Sequence, residues 1–501
     1  MRYGVAAVRG ITVVATVAGL LWTGCAVGPE FRGPKAPGAS SYTATPLPAE
    51  TTGAPVDGGD SQRFVSGMEI PARWWELFRS EPLDRWIRKA LADNPTLSVA
   101  EATLRQAQES RRAVSGALFP SVDGSVSAAR QKISGASIGQ ANGQFNPFTL
   151  YNASVNVSYA PDLFGGTRRE LEALQAQVDY RRFQLEGAYL TLTSNIVTTA
   201  VQEASLRGQI GATQEILSTE EQQLSVVENQ FRLGAVARSD VLAQRAQLAQ
   251  SRAALPPLEK QLARTRHLLA VLAGRFPGDT ADLPEFHLDD LKLPAKLPVS
   301  LPSSLARQRP DIRSAEELMH AASAAVGVAT ANLYPRITLT GSYGSDASRL
   351  GDLFGAGASV WSLGTGLLQP VFHGGALEAD RRAAVAAYDQ AAAQYRETVL
   401  QAFQNVADVL RALEFDARTL QAQAEAETAA RDTLDLARKQ FQLGAVSYLA
   451  LLNAQRQYQT ARILLVQAQA GRYADTAALF QALGGGWWNK ASPSGSASRD
   501  R

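Results

Sequence analysis

The sequence contains one long unit that occurs twice in tandem. Pro95 and Pro310 stand in related sequence contexts 215 residues apart. Further on, the six residues that begin at Phe231 recur almost unchanged from Phe441, 210 residues away. Solenoid repeats have only ~20–50 residues, so this repeat is far too long to be one of them. The chain is therefore predicted to fold as two copies of one larger supersecondary unit.

Each unit contains a stretch suited to an unusually long helix. No proline occurs between Pro161 and Pro256 in the first unit or between Pro370 and Pro493 in the second. The 67 residues that end at Leu233 would span roughly 100 Å at ~1.5 Å per residue. Apolar residues recur every three or four positions within both stretches, which indicates a narrow seam for coiled-coil packing.

Glycine ends both helical stretches, at Gly234 and Gly444. Glycine tolerates left-handed backbone angles and commonly terminates helices. Ser239 and Asp240 then predict the start of a returning helix, because their side chains can cap its first turn. Each unit is therefore predicted to hold an antiparallel α-hairpin with a tight tip. Pro256-Pro257 predict a break in the first returning helix.

Four segments alternate apolar and polar residues. They are 121–128 and 152–159 in the first unit and 336–343 and 361–367 in the second. Alternation with period two is the strand signal. Strands that are apolar outward and polar inward are typical of a transmembrane barrel with a wet lumen. A soluble hairpin half buried on a core is the alternative.

The N-terminus has the pattern of an export signal. Arg2 and Arg9 precede an apolar run, Gly10 to Trp22, that is too short to span a bilayer. The run leads through Thr23-Gly24 to Cys25, the only cysteine of the chain, and resembles a bacterial lipobox. That resemblance implies cleavage before Cys25 and lipidation there. An ordinary signal peptide with an incidental cysteine is the alternative.

Four strands cannot close a barrel with a lumen, because ~8 is the practical minimum. Closure therefore requires several chains, and three would supply twelve strands. We predict a mostly α fold with a small β part, in which each repeat is a long antiparallel α-hairpin plus two transmembrane strands. Three such chains would form a twelve-stranded β-barrel and a periplasmic α-barrel.

The predicted segments follow from the repeat. They are a lipoprotein signal peptide (1–24), a lipidated N-terminal extended arm (25–80), the first structural repeat (81–275), a linker (276–302), the second structural repeat (303–483) and a C-terminal tail (484–501). Each repeat is predicted to open with one helix, from about Leu83 to Leu118 and from about Ser304 to Leu333. The tail is expected to be disordered from Gly484, unless Trp487-Trp488 dock.

Composition and motifs argue against a nucleic-acid-binding protein and against an enzyme. The formal net charge is only +2, so no electrostatic footprint suggests nucleic acid. The four histidines are dispersed, which argues against a histidine metal centre. The glycine clusters at 355–357 and 484–486 lack the strand–turn–helix setting of nucleotide loops. We therefore predict a passive protein that uses no cofactor and no metal.

Several short segments, taken in order, resemble the TolC-like outer-membrane efflux factors in their lipoprotein branch. They are Cys25–Pro29, Trp74–Phe78, Pro161–Gly165, Arg309–Ile312 with Ala315-Glu316, Leu333–Pro335 and Phe372–Gly375. The resemblance covers essentially the whole mature chain. It implies a homotrimer anchored in the outer membrane and extending into the periplasm. It also implies a periplasmic adaptor (membrane fusion protein), an inner-membrane pump, often of the resistance-nodulation-division type, and a cargo of drugs or other small toxic compounds.

The resemblance also assigns site residues. In the family the hairpin tips meet the adaptor; here they are Leu233, Gly234 and Ala235 in the first repeat and Leu443, Gly444 and Ala445 in the second. The family usually places pore-narrowing aspartates beyond the second tip, where this chain has Ala450 and Asn453. Leu449 matches a leucine that forms an apolar constriction in lipoprotein members. We expect a resting gate built from Leu449 and Asn453. Asp240 either adds charge nearby or caps its helix.

Other classes of protein share parts of this pattern. A lipidated periplasmic adaptor would carry one hairpin and soluble β domains, rather than two hairpins and four alternating strands. A coiled-coil spacer would need no strands at all. Within the duct class, an exit duct for type I protein secretion is the alternative to drug efflux, and the sequence does not choose between them.

Overall fold

The computed structural model describes residues 26–35, 38–39, 41–132, 134 and 146–490. The predicted signal peptide and Cys25 lie outside the described residues, as do residues 491–501 of the predicted tail. The helices are α1 (Glu81–Asp93), α2 (Pro95–Ser115), α3 (Gly166–Arg232), α4 (Arg238–Leu272), α5 (Pro302–Gln308), α6 (Pro310–Ala331), α7 (Ala376–Gln442) and α8 (Tyr448–Ala482). The strands are β1 (Arg63–Ser66), β2 (Ser121–Gln131), β3 (Phe148–Tyr159), β4 (Lys296–Val299), β5 (Arg336–Ala347) and β6 (Ser359–Leu368).

The two long helices are confirmed. α3 and α7 each contain 67 residues, and each is followed by a 35-residue helix, α4 or α8. Each repeat therefore contributes one long helix, a tight tip and one returning helix. The length follows from the absence of proline, and the tip follows from a glycine with positive φ.

The four predicted strands are also confirmed, and they form one antiparallel sheet in the order β2-β3-β5-β6. The register places apolar residues in rows across the sheet, such as Val122, Val157, Gly341 and Leu363. Many side chains on this face are exposed, and Leu363 is 81% exposed. The sheet therefore presents an apolar face that the described part of this chain leaves largely uncovered.

The opposite face of the sheet is polar. Ser125 and Ser154 lie 3.0 Å apart between their hydroxyl oxygens, and Asn152 Nδ2 donates to Asp346 Oδ1 at 2.8 Å. These residues alternate with the apolar rows, because successive side chains of a strand point to opposite faces. The sheet thus separates an apolar surface from a hydrogen-bonded polar surface.

The helices that open the repeats differ from the prediction. The expected helix from about Leu83 to Leu118 is two helices, α1 and α2, and the one expected from Ser304 to Leu333 is α5 and α6. Asn94 and Arg309 interrupt them with extended backbones, at ψ 121 and ψ 125. A proline follows each of these residues, and proline disfavours helical geometry in the residue before it.

The predicted break at Pro256-Pro257 is wrong. α4 runs through both prolines from Arg238 to Leu272. Proline lacks an N–H and leaves the carbonyl four residues earlier without its helical donor. Those carbonyls belong to Arg252 and Ala253, and both residues are exposed. Water can satisfy exposed carbonyls, so the helix tolerates the pair.

The described residues form two compact units, and each unit takes segments from both repeats. One comprises 1–34, 103–181 and 315–395 and holds the four-stranded sheet. The other comprises 35–102, 182–314 and 396–501 and holds both hairpin tips. None of the helices among the described residues is both long and apolar enough to cross a membrane.

In the unit that holds the tips, segments before and after the repeats are packed rather than loose. β1 pairs in parallel with β4, and the Trp74 ring stacks on Phe480 with centroids 5.3 Å apart. Trp487 Nε1 donates to the Gln308 carbonyl at 2.7 Å. The disorder expected from Gly484 onward is therefore wrong for residues 484–490, and the stated alternative, docking of the tryptophans, holds for Trp487, whose indole is bonded to the end of α5.

Candidate functional site

The two hairpin tips have the same backbone geometry. Gly234 has φ +74° and Gly444 has φ +72°. The Ala235 N–H donates to the Gln230 carbonyl at 2.9 Å, and the Ala445 N–H donates to the Gln440 carbonyl at 2.8 Å. This bond five residues back, together with the left-handed glycine, is the Schellman helix ending. Both long helices thus end with the same C-terminal capping motif.

The residues beside these glycines are open to solvent. Leu233 is 84% exposed and Leu443 is 83% exposed. A Cβ atom added to Gly234 or Gly444 would meet no atom within 4 Å. Glycine is therefore required at both tips for its backbone angle and not for lack of space. Exposed leucines at the end of two hairpins form an apolar surface suited to contact with another helical tip.

A small apolar core lies below the tips and holds all four hairpin helices together. It is formed by Val227 from α3, Val241 from α4, Leu434 and Ala437 from α7, and Tyr448, Leu451, Leu452 and Ala454 from α8. Because both hairpins contribute, a shift of one hairpin against the other must disturb this core.

Polar contacts, two of them between buried or half-buried side chains below the tips, join the returning helices of the two hairpins. The Tyr448 hydroxyl donates to Gln244 Oε1, and Arg456 Nε donates to Gln247 Oε1 at 2.7 Å. Burial, helped by the nearby carboxylates of Asp240 and Glu220, raises the pKa of Tyr448. The phenol therefore stays protonated and remains a hydrogen-bond donor at any physiological pH.

Sequence reasoning missed these four residues. Tyr448 and Gln244 are 204 residues apart in the chain. No periodicity or turn motif specifies which residue of one hairpin faces which residue of the other. A tyrosine three residues beyond the predicted second tip was the only available signal.

Leu449 and Asn453, the two residues of the predicted gate, lie one turn apart on α8. Both are exposed, and Leu449 is 64% exposed. Residues four apart share one face of a helix. The two side chains thus occupy one open face of α8, while Leu451 and Leu452 turn into the core.

Asp240 is held at the start of α4. Its Oδ2 accepts a hydrogen bond from the Ala237 N–H at 3.1 Å. The helix begins at Arg238, so Ser239 lies inside the first turn and does not cap it, contrary to the prediction. Asp240 therefore acts as a cap, and its negative charge also lies close enough to act on Tyr448. Among the described residues, no group of three His, Cys, Asp or Glu side chains could hold a metal ion.

Known proteins resemble this chain over nearly its whole length. A family model described as "Outer membrane efflux protein" matches residues 86–275 and 301–485. The pyoverdine export outer membrane protein OpmQ of Pseudomonas aeruginosa is 32% identical, over 87% of this chain and 94% of that protein. The antibiotic efflux pump outer membrane protein ArpC of Pseudomonas putida is 29% identical, over 93% of this chain and 94% of that protein. The solved structure of the outer-membrane channel OprN has a TM-score of 0.82 and 29% identity, covering 92% of this chain and all of that one.

Proposed function

Because this chain belongs to the outer membrane efflux protein family, it is an outer-membrane efflux channel protein, and we propose that three copies of it form a passive exit duct for small toxic compounds. The observation that carries this proposal is the open sheet of four strands, with one exposed apolar face and one polar face. A sheet of this kind can line a pore only when other copies complete it.

The sheet edges support assembly from several chains. Within the described residues, β2 and β6 each pair with a neighbour on one side only. Unpaired strand edges in a bilayer would leave backbone groups without partners, which is strongly unfavourable. Pairing β2 of one copy with β6 of the next removes every edge. Three copies give twelve strands, a barrel wide enough to hold a solute path.

The mass of the native particle tests this proposal. The mature protein would be extracted in detergent and its native mass measured, with the lipid mass at Cys25 read from the same sample. We expect a trimer that carries acyl chains on Cys25. A monomer would contradict the duct, and an unlipidated Cys25 would contradict the anchor alone.

Docking to an adaptor is proposed for the two tips. Leu233, Gly234 and Ala235, with Leu443, Gly444 and Ala445, present exposed leucines beside left-handed glycines. The name of ArpC places that relative in an efflux pump. For this chain we infer a periplasmic adaptor and an inner-membrane pump, which would supply the energy for export. A bulky residue at Gly234 or Gly444 should impair complex assembly, and retained export in such a variant would count against this role.

A resting gate is proposed from the exposed face of α8. Leu449 and Asn453 would form stacked rings when three copies meet, because symmetry repeats each side chain around the axis. A leucine ring narrows a pore by excluding water, and an asparagine ring selects cations less than aspartates would. Leu449→Ala should raise the conductance of the closed channel in a planar bilayer. An unchanged conductance would reject this assignment.

The cargo is proposed to be small molecules rather than proteins. The names of OpmQ and ArpC refer to pyoverdine export and antibiotic efflux, both of which concern small molecules. That favours efflux over type I protein secretion and adds pyoverdine-like compounds as a second candidate cargo. Deletion of the gene should raise intracellular accumulation of antibiotics and dyes and leave the secreted proteins unchanged. The reverse pattern would support protein secretion.

A further inference from the structure

A polar cavity of about 210 Å³ lies between the two hairpins, below the tips. Its walls come from α3, α7 and α8 and include Glu220, Gln455 and Tyr458. At ~30 Å³ for each water molecule in the liquid, the space exceeds that needed for a small planar group. It is separate from the exposed face of α8 that carries Leu449 and Asn453.

Two side chains in this cavity are buried without full hydrogen bonding. Glu220 is 2% exposed; its Oε1 accepts from Gln247 Nε2 at 3.1 Å, but its Oε2 has no partner among the described residues. Gln455 is 6% exposed, and neither atom of its amide has a described partner. Buried polar groups are nearly always hydrogen-bonded, and an unpaired carboxylate is especially unfavourable. Glu220 Oε2 and Gln455 Oε1 therefore call for a ligand that donates hydrogen bonds, whereas Gln455 Nε2 is a donor that would need an acceptor or water.

The pairing of the charges in the cavity lining favours a cation over an anion. The two arginines in its wall already have acidic partners on their own helix: Arg431 pairs with Glu427, and Arg438 Nη1 lies 3.4 Å from Asp435 Oδ1. Glu220 has no cationic partner among the described residues. Glu215, exposed at the same cavity, adds a second negative charge. The described lining thus offers two unpaired acceptors, Glu220 Oε2 and Gln455 Oε1, one unpaired donor, Gln455 Nε2, and no free cation.

We propose that this cavity binds one guanidinium group, which donates hydrogen bonds to Glu220 Oε2 and Gln455 Oε1. A guanidinium is planar, always charged and carries five N–H donors, so it can serve two acceptors at once. The Tyr458 ring in the same wall supplies an aromatic surface on which such a group can stack. The group can come from an arginine side chain of the periplasmic partner or from a guanidinium-bearing cargo. Naming these two sources rests on the proposed function; the site itself does not.

Calorimetric titration of ethylguanidinium into the purified full-length protein in detergent tests the site. N-ethylurea is the neutral control ligand, because it has nearly the same shape without the charge. We expect saturable binding of ethylguanidinium, weakened about tenfold or more in Glu220→Gln, since hydrogen bonds to charged groups are the strong ones. Glu221→Gln is the matched control, because its side chain is exposed and pairs with Arg252. Absence of saturable binding, or equal binding by Glu220→Gln, would overturn the proposal.

Co-purification and export assays in cells distinguish the two sources of the guanidinium group. If Glu220→Gln abolishes co-purification of the periplasmic partner, the group is the partner's arginine. If the complex is retained while export of a guanidinium compound falls, the group belongs to the cargo. Retention of both would overturn a role for either source. The native mass and melting temperature of the variant report separately on assembly, so a failed duct and a failed site remain distinguishable.

Discussion

Asp475 on α8 and Asp416 on α7 are two carboxyl groups that interact inside a helical hairpin. Burial, followed by the hydrogen bond and charge of Asp416, raises the pKa of Asp475 to about 8. The buried guanidinium of Arg472 opposes this shift, and it also holds Gln62 Oε1 at 2.8 Å. Such a pair of carboxyl groups retains a proton at neutral pH.

The raised pKa predicts a stability that falls as the pH rises. The unfolded carboxyl titrates near 3.8 and the folded one near 8, so the stabilising contribution is complete below about pH 4 and is lost by about pH 8. Asp475→Asn mimics the protonated form and should flatten this dependence and raise the melting temperature at pH 8. Asp408→Asn, at an exposed position of α7, is the control and should leave the pH profile unchanged. An unaltered profile in Asp475→Asn would reject the shared proton.

Asn94 and Arg309 each connect the opening helices of a repeat to the end of its returning helix. Asn94 Nδ2 donates to the carbonyl of Leu272, the last residue of α4, at 2.8 Å. At the equivalent place in the second repeat, Arg309 Nη1 donates to the carbonyl of Ala482, the last residue of α8, at 2.9 Å. Different side chains thus satisfy the same orphan carbonyl at the end of each returning helix.

Loss of the Asn94 side chain should destabilise the protein substantially. Its Oδ1 also accepts from the Thr96 and Leu97 N–H groups, at 2.8 and 3.2 Å, and so caps α2. Asn94→Ala removes a cap and a buried hydrogen bond, which together contribute about 1–3 kcal/mol. Thermal unfolding should show a clearly lower melting temperature. Asp93→Ala, at the exposed neighbour, should change it little, and equal effects would show that the cap is unimportant.

At the scale of elements, the sequence predicts what is local and periodic. The absence of proline defines α3 and α7, and Gly234 and Gly444 mark their ends. Alternation predicts the four long strands. The breaks at Asn94 and Arg309 were also readable, since each precedes a proline; the prediction of single helices overlooked this restriction. The continuity of α4 through its prolines depends on solvent exposure, which the sequence does not display.

The contacts between hairpins belong to the same scale and were beyond sequence reasoning. The tips could be predicted because the residues that determine a turn are adjacent in the sequence. The pairing of Tyr448 with Gln244 requires the relative register of two separate hairpins, and only packing of the core below the tips fixes that register.

Removal of the Tyr448 hydroxyl should loosen the resting position of the second hairpin. Tyr448→Phe keeps the ring in the core but deprives the buried Gln244 Oε1 of its donor, a loss of about 1–3 kcal/mol. A difference of this size shifts an equilibrium between closed and open forms by about fivefold or more. Single-channel recording should show a matching rise in open probability.

Tyr458→Phe is the control for this variant. Tyr458 packs against the same core, and its hydroxyl bonds to no other described residue. It should therefore leave the open probability unchanged. Equal behaviour of the two variants would show that the Tyr448 hydrogen bond does not restrain the hairpins.

At the scale of the whole molecule, duplication accounts for the construction of both compact units. Each repeat supplies two strands to one unit and one hairpin tip to the other. Neither repeat alone could form the four-stranded sheet or the core shared by four helices. Both repeats are thus needed to complete either unit. In the proposed duct, the open edges of the sheet likewise require further copies of the chain to complete the barrel.

The two faces of the sheet give the sharpest test of that assembly. In the proposed duct the apolar face meets lipid and the polar face lines the pore, so adjacent residues of β6 should respond oppositely to charge. Leu363→Arg places a charge on the apolar face, which is unfavourable by about 2–4 kcal/mol near the middle of a bilayer. It should reduce the amount of trimer recovered from the outer membrane. Ser362→Arg, one residue away, should assemble normally and lower the conductance for cations. If instead Leu363→Arg assembles and Ser362→Arg does not, the orientation of the sheet is reversed and the pore lies on the other face.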